Sequence, residues 1–181
     1  MADIAIINKV DSAKSENVEK VRKAIIENNP GAEIVLADSE LLGEDVERIK
    51  DKKVLVVEDG PTLTHGEMAY GAGIIAAQRF GAARLVDPRP YLIGTLKETF
   101  EKYPSIGPLL PAMGYGHRQI KDLEKTINKI PCDVVVVATP VDLTRLLSIN
   151  KPCIRIVMST RTEANLHWKK YWTYIKVRGR L

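Results

Sequence analysis

Four consecutive valines, Val134-Val135-Val136-Val137, follow Pro131-Cys132-Asp133 with no polar residue between them. A β-branched run that is apolar on both faces requires cover on both sides, as in the central strands of parallel α/β sheets. Lys53-Val54-Leu55-Val56-Val57 has the same character. Shorter runs recur at Ile4-Ala5-Ile6-Ile7, Glu33-Ile34-Val35-Leu36, Arg84-Leu85-Val86 and Ile154-Arg155-Ile156-Val157. Between them the apolar spacing becomes helical. Residues 17–28 carry Val18, Val21, Ala24 and Ile25 on one stripe, stopped by Asn29-Pro30-Gly31. Further helices are expected over 44–49, within the small-residue stretch 68–81, and over 94–103, 118–129 and 142–147. Strands alternating with helices predict a three-layer Rossmann-like α/β domain over residues 1–157, with a mostly parallel sheet and helices on both faces.

Composition narrows the function classes. With 181 residues, 45% hydrophobic and 28% charged, the chain suits one soluble domain with one contiguous core. No stretch approaches the roughly 20 apolar residues that span a bilayer. Met1-Ala2-Asp3-Ile4 offers no basic region ahead of an apolar run, so neither a membrane partner nor a secretory signal is expected. Cys132 and Cys153 sit in apolar runs and read as free, buried thiols in a reducing, cytoplasmic setting.

The chain holds 27 bases and 23 acids, but residues 161–181 carry six of those bases and one acid. The first 160 residues therefore hold 21 bases and 22 acids, which excludes a basic nucleic-acid-binding body. Residues 158–181 form a basic aromatic tail containing Trp168, Tyr171, Trp172 and Tyr174. Such a tail could stack on single-stranded nucleic acid. The alternative is an extension whose aromatics pack on the body or stay disordered; that one is expected, and no nucleic-acid partner.

Chemistry-bearing residues gather where strands end. Asn8-Lys9-Val10-Asp11 leaves the first strand directly. Such a turn can read guanine: the Asp11 carboxylate accepts from the ring, the Lys9 stem lies along it, and Asn8 ties neighbouring loops. The alternative is a polar turn in which Asp11 or Ser12 caps the next helix. No GxxxxGK[ST] occurs anywhere, so nothing here grips a triphosphate.

Glu58-Asp59-Gly60-Pro61-Thr62-Leu63-Thr64-His65-Gly66 leaves a central strand. Asp59 and His65 are candidates for acid/base work, and Glu58 and Asp59 for Mg²⁺. Thr62, Thr64 and Gly60 are candidates for holding substrate. A helix beginning near Gly66 would offer its N–H groups to an anion. The alternative is an Asp-Gly-Pro turn with Thr64 as helix cap.

In Asp87-Pro88-Arg89-Pro90-Tyr91, flanking prolines would present Arg89 rigidly to an anion, or Arg89 could pair with Asp87. Residues 103–117 read as a long irregular segment, a cover over the site or a dimer contact. In Ala138-Thr139-Pro140-Val141-Asp142-Leu143, Thr139 reads as a cap and Asp142 as its helix's favourable charge.

Several of these blocks are similar to those of cyclic 2,3-diphosphoglycerate synthetases. The resemblance rests on residues 58–66, Tyr70-Gly71-Ala72-Gly73, Asp87-Pro88-Arg89-Pro90-Tyr91, Leu110-Pro111-Ala112-Met113-Gly114-Tyr115-Gly116 and residues 139–143, and covers about residues 2–156. The turn at 8–11 also resembles that of metal-chaperone GTPases of the P-loop class. The resemblance implies ATP- or GTP- and Mg²⁺-dependent closure of a phosphoanhydride in 2,3-bisphosphoglycerate, often by a homodimer, in a thermophilic type of host. Thr62, Thr64, Arg89, Tyr91 and Gly60 would hold a small phosphorylated acid, and Asn8, Lys9 and Asp11 the nucleotide base. Members of that family are longer and carry a P-loop part. This chain is accordingly expected to be a C-terminal portion that transfers little or no phosphate alone. The alternative is a non-catalytic module that dimerises or docks a separate P-loop domain.

Overall fold

The computed structural model describes residues 2–60 and 70–162. All strand pairs for which a register is established are parallel, and the fold is a three-layer Rossmann-like α/β arrangement, as the valine runs require. The expected single domain over 1–157 divides into two compact units, one formed by residues 1–40 with 158–181 and the other by Leu41–Val157.

The first unit holds β1 (Ile4–Asn8), α1 (Ser15–Asn28), β2 (Glu33–Leu42, whose last two residues belong to the second unit) and β8 (Val157–Thr162, whose first residue does), with strand order β1-β2-β8. Ile7, Val35 and Ala37 are its buried apolar residues, while α1 buries none outright. Residues 158–162, expected to begin a tail, extend a strand beside β2. The remaining tail, residues 163–181, lies outside the described residues.

The second unit contains the main core, from Ile49 to Ile156. Its strands are β3 (Lys53–Asp59), β4 (Arg84–Leu85), β5 (Leu110–Ala112), β6 (Val134–Ala138) and β7 (Cys153–Arg155). Its helices are α2 (Ala72–Arg79), α3 (Thr95–Lys102) and α4 (His117–Lys129). The sheet runs β4-β3-β6-β7. Since β6 takes one edge of β3 over Val54–Glu58, β4 (at 53–54) and β5 (at 57–59) share the other in succession. Val54, Leu55, Val56 and Val57 are all fully buried, so both faces of this sheet are covered.

Short helices reduce to single 3-10 turns at Val46–Ile49 and Leu143–Arg145. The segment 103–117 is no loose cover. Ile106, Leu109, Leu110 and Ala112 are buried, and Leu110–Ala112 is a strand. Its Pro111 is tolerated because β5 has β3 as its one neighbour. Cys132 and Cys153 are free, as expected, but half-buried rather than buried, and burial raises both thiols.

Candidate functional site

The carboxyl end of β3 is the natural place for a ligand in such a sheet. Glu58 and Asp59 follow one another along the strand, so their side chains leave on opposite faces, and the two acids do different things. Glu58 is 3% exposed, and its carboxylate accepts the backbone N–H of Ile74 at 2.9 Å and those of Gly73 and Gly71. It sits on the open end of α2, where the first N–H groups have no partner within the helix. At the start of α2 the anion on those N–H groups is the protein's own Glu58. The described helix after this loop begins at Ala72, and the helix start expected near Gly66 lies outside the described residues.

Tyr70-Gly71-Ala72-Gly73 is explained by the same contact. A Cβ on Gly71 would overlap Glu58 Oε2, and one on Gly73 would meet Glu58 Oε1 at 3.0 Å and Val56 Cγ1 at 2.6 Å. Burial raises the Glu58 carboxyl, against the lowering effect of its three backbone donors. As a metal ligand, the role expected from its sequence, Glu58 is poorly placed, because its oxygens already hold α2.

Asp59 lies at the exit of the strand, half-buried. Its charge reaches Tyr115: burial first and Asp59 second raise the Tyr115 phenol. Gly60 lets the chain pass close to β5, since a Cβ there would lie 2.6 Å from Met113 Sδ and 2.7 Å from the Ala112 carbonyl. The β5 exit then turns at Gly114, where a side chain would meet Gln119 Oε1 at 2.5 Å. Asp59, Gly60 and Tyr115 are therefore brought together. Tyr115 was not among the candidate residues, although it lay within a recognisable block, because its approach to Asp59 depends on β5 pairing with β3. Thr62, Thr64 and His65 lie outside the described residues. Replacing Asp59 with Asn should lower the Tyr115 pKa towards the ordinary tyrosine range, read from ¹³Cζ-tyrosine NMR with Tyr115→Phe as assignment control.

Arg89 and Tyr91 share a 3-10 turn, Arg89–Tyr91. The Arg89 Nη1 donates to both Asp87 oxygens at 3.0 Å, Nη2 donates to the Ile106 carbonyl, and the guanidinium lies 5.3 Å over the Phe100 ring. The pairing with Asp87 is formed, and Arg89 ties its turn to α3 and to the segment leading into β5. Tyr91 packs against the core.

At the β6 exit the Thr139 hydroxyl donates to the Val141 carbonyl at 2.6 Å. The cap is Asp142, not Thr139: its Oδ1 accepts from Thr144 N at 3.1 Å and Thr144 Oγ1 at 2.7 Å. Those bonds, the hydroxyl's first, lower the Asp142 carboxyl.

The turn 8–11 belongs to the first unit. Asn8 Oδ1 accepts from Lys9 N at 2.8 Å and from the Ser39 hydroxyl at 3.1 Å, and Asp11 Oδ1 accepts from Ser39 N at 3.0 Å. Lys9 takes the left-handed conformation, φ 63°. Asn8 and Asp11 thus tie the turn to Ser39 of β2 rather than to a neighbouring loop.

Over 155 residues the chain is 54% identical to a protein of Thermococcus kodakarensis described as arginine synthetase ArcE. The similarity is to a synthetase. The aligned region is 86% of this chain and 35% of that protein, so the chain spans about a third of the relative's length. No family model matches the chain. Its α/β region is similar to part of that synthetase, and no described helix is long and apolar enough to cross a membrane.

Proposed function

We propose that this chain is the substrate-binding region of a nucleoside-triphosphate-dependent synthetase, and that its ligand is an arginine-type amino acid. The guanidinium would dock at the carboxyl end of β3, against Asp59 and the Tyr115 hydroxyl. The observation that carries this reading is the position of the half-buried Asp59 carboxylate at the exit of β3 beside Gly60, where an acid suits a cationic group better than a polyanion. Identity to a protein named for arginine supports it independently.

A synthetase also needs a nucleotide, and commonly Mg²⁺. The described residues do not assemble a grip for either. Glu58 is committed to α2, Asp11 to Ser39, and no group of three or more His, Cys, Asp or Glu among the described residues is placed to hold a metal. In this reading the nucleotide and its metal are held by the rest of a longer protein, such as a P-loop part. The chain alone binds substrate and transfers no phosphate.

A second reading, closure of a phosphoanhydride in 2,3-bisphosphoglycerate, is favoured by the blocks at 58–66 and 87–91. Calorimetric titration of L-arginine and of 2,3-bisphosphoglycerate into the whole chain separates the two. Saturable heat from arginine alone supports the first reading, and from the bisphosphate alone the second. Heat from neither favours a docking module without a ligand of its own.

A further inference from the structure

The turn Arg89–Tyr91, α3 and the end of α4 border a groove of about 540 Å³, within the range of small-molecule sites. Its walls include Arg89, Leu92, Lys97, Phe100, Glu101 and Lys129. Three bases and one acid line it, and Asp87, paired with Arg89, offsets one of the bases. Among the described residues neither Lys97 nor Lys129 forms an ion pair. Arg89 differs. Asp87 and the Ile106 carbonyl hold its guanidinium over Phe100, so it loses little freedom on meeting a ligand. Leu92 and two prolines, Pro90 and Pro104, supply apolar wall beside the charges.

We propose that this groove binds a small organic phosphate ester, its phosphate between Lys97, Lys129 and the pinned Arg89 and its carbon body against Leu92 and the prolines. Phosphate suits two mobile ammonium groups and a fixed guanidinium, and an apolar wall has use only for an ester. The site is separate from the β3 exit and does not rest on the reading given for it. Glu101 opposes the ligand and keeps its affinity modest.

The test is ³¹P NMR of glycerol 3-phosphate, and of inorganic phosphate, titrated with the full chain at physiological ionic strength. The ester should shift saturably and bind more tightly than inorganic phosphate. The double variant Lys97→Ala/Lys129→Ala should weaken it about tenfold, each exposed charge being worth a few-fold. Glu101→Gln should tighten it about two- to threefold, a gain that structural damage cannot mimic. Absence of a saturable shift, indifference to the double variant, or equal affinity for inorganic phosphate would overturn the proposal.

Discussion

Replacing Gly94 with alanine should destabilise the 41–157 unit by about 3 kcal/mol, one of the two largest losses expected from a single substitution in this chain. Gly94 holds φ +56°, ψ −126°, a conformation that L side chains rarely adopt, just before the first residue of α3. An added methyl would also land on the Asp122 carboxylate, which accepts from Thr95 N at 2.9 Å and from Thr95 Oγ1 at 3.1 Å. Strain and lost cap therefore coincide. The backbone bond from Thr95, with its hydroxyl and nearby bases assisting, keeps the Asp122 carboxyl low. Thermal melts should show a drop of about 6–12 °C, at a few degrees per kcal/mol for a protein of this size. The double variant Gly94→Ala/Asp122→Ala should fall short of the two single losses added together, because the overlap disappears while the backbone strain stays.

Glu58→Ala should cost a similar amount, about 3 kcal/mol or more, because it leaves the N–H groups of buried Gly73 and Ile74, and of half-buried Gly71, without this acceptor. Hydrogen exchange should quicken first at Gly73 and Ile74, at the start of α2. The pH dependence follows from the raised carboxyl. The folded protein holds the Glu58 proton more tightly than the unfolded chain, so Glu58 supports folding best below the ordinary glutamate value. That support declines as pH climbs towards the raised one. The alanine variant lacks this slope. The stability gap between the two proteins should therefore narrow with rising pH across that window, as measured by urea unfolding at a series of pH values.

Much of the architecture could be read from residue patterns. The valines of β6 and the apolar run of β3 announced a sheet covered on both faces, and α1 and α4 followed from helical spacing. The division into two units was hidden, because apolar runs do not say which sheet a strand joins. The apolar pattern of β2 ends at Leu36, since Ala37-Asp38-Ser39-Glu40 looks polar although Ala37 and Ser39 are buried. β5 was hidden by Pro111 and its three-residue length.

The site was less legible. A carboxylate at a strand end reads as a ligand for metal, and nothing local to Glu58 reveals that it serves α2. Gly71 and Gly73 carried that signal, as two positions where a close acceptor excludes a side chain. Arg89 was placed between two uses, and its bond to Ile106 spans a separation no local motif encodes. Tyr115 meets Asp59 through strand pairing alone.

The measurement that bears most directly on the acidic exit of β3 is the guanidinium Nε–H signal of ¹⁵N-labelled L-arginine added to the full chain. Docking on the Asp59 carboxylate should shift that signal and slow its exchange with water, and Asp59→Asn should abolish both effects. An arginine signal unchanged by the wild-type chain, or changed equally by the Asn variant, would contradict the account.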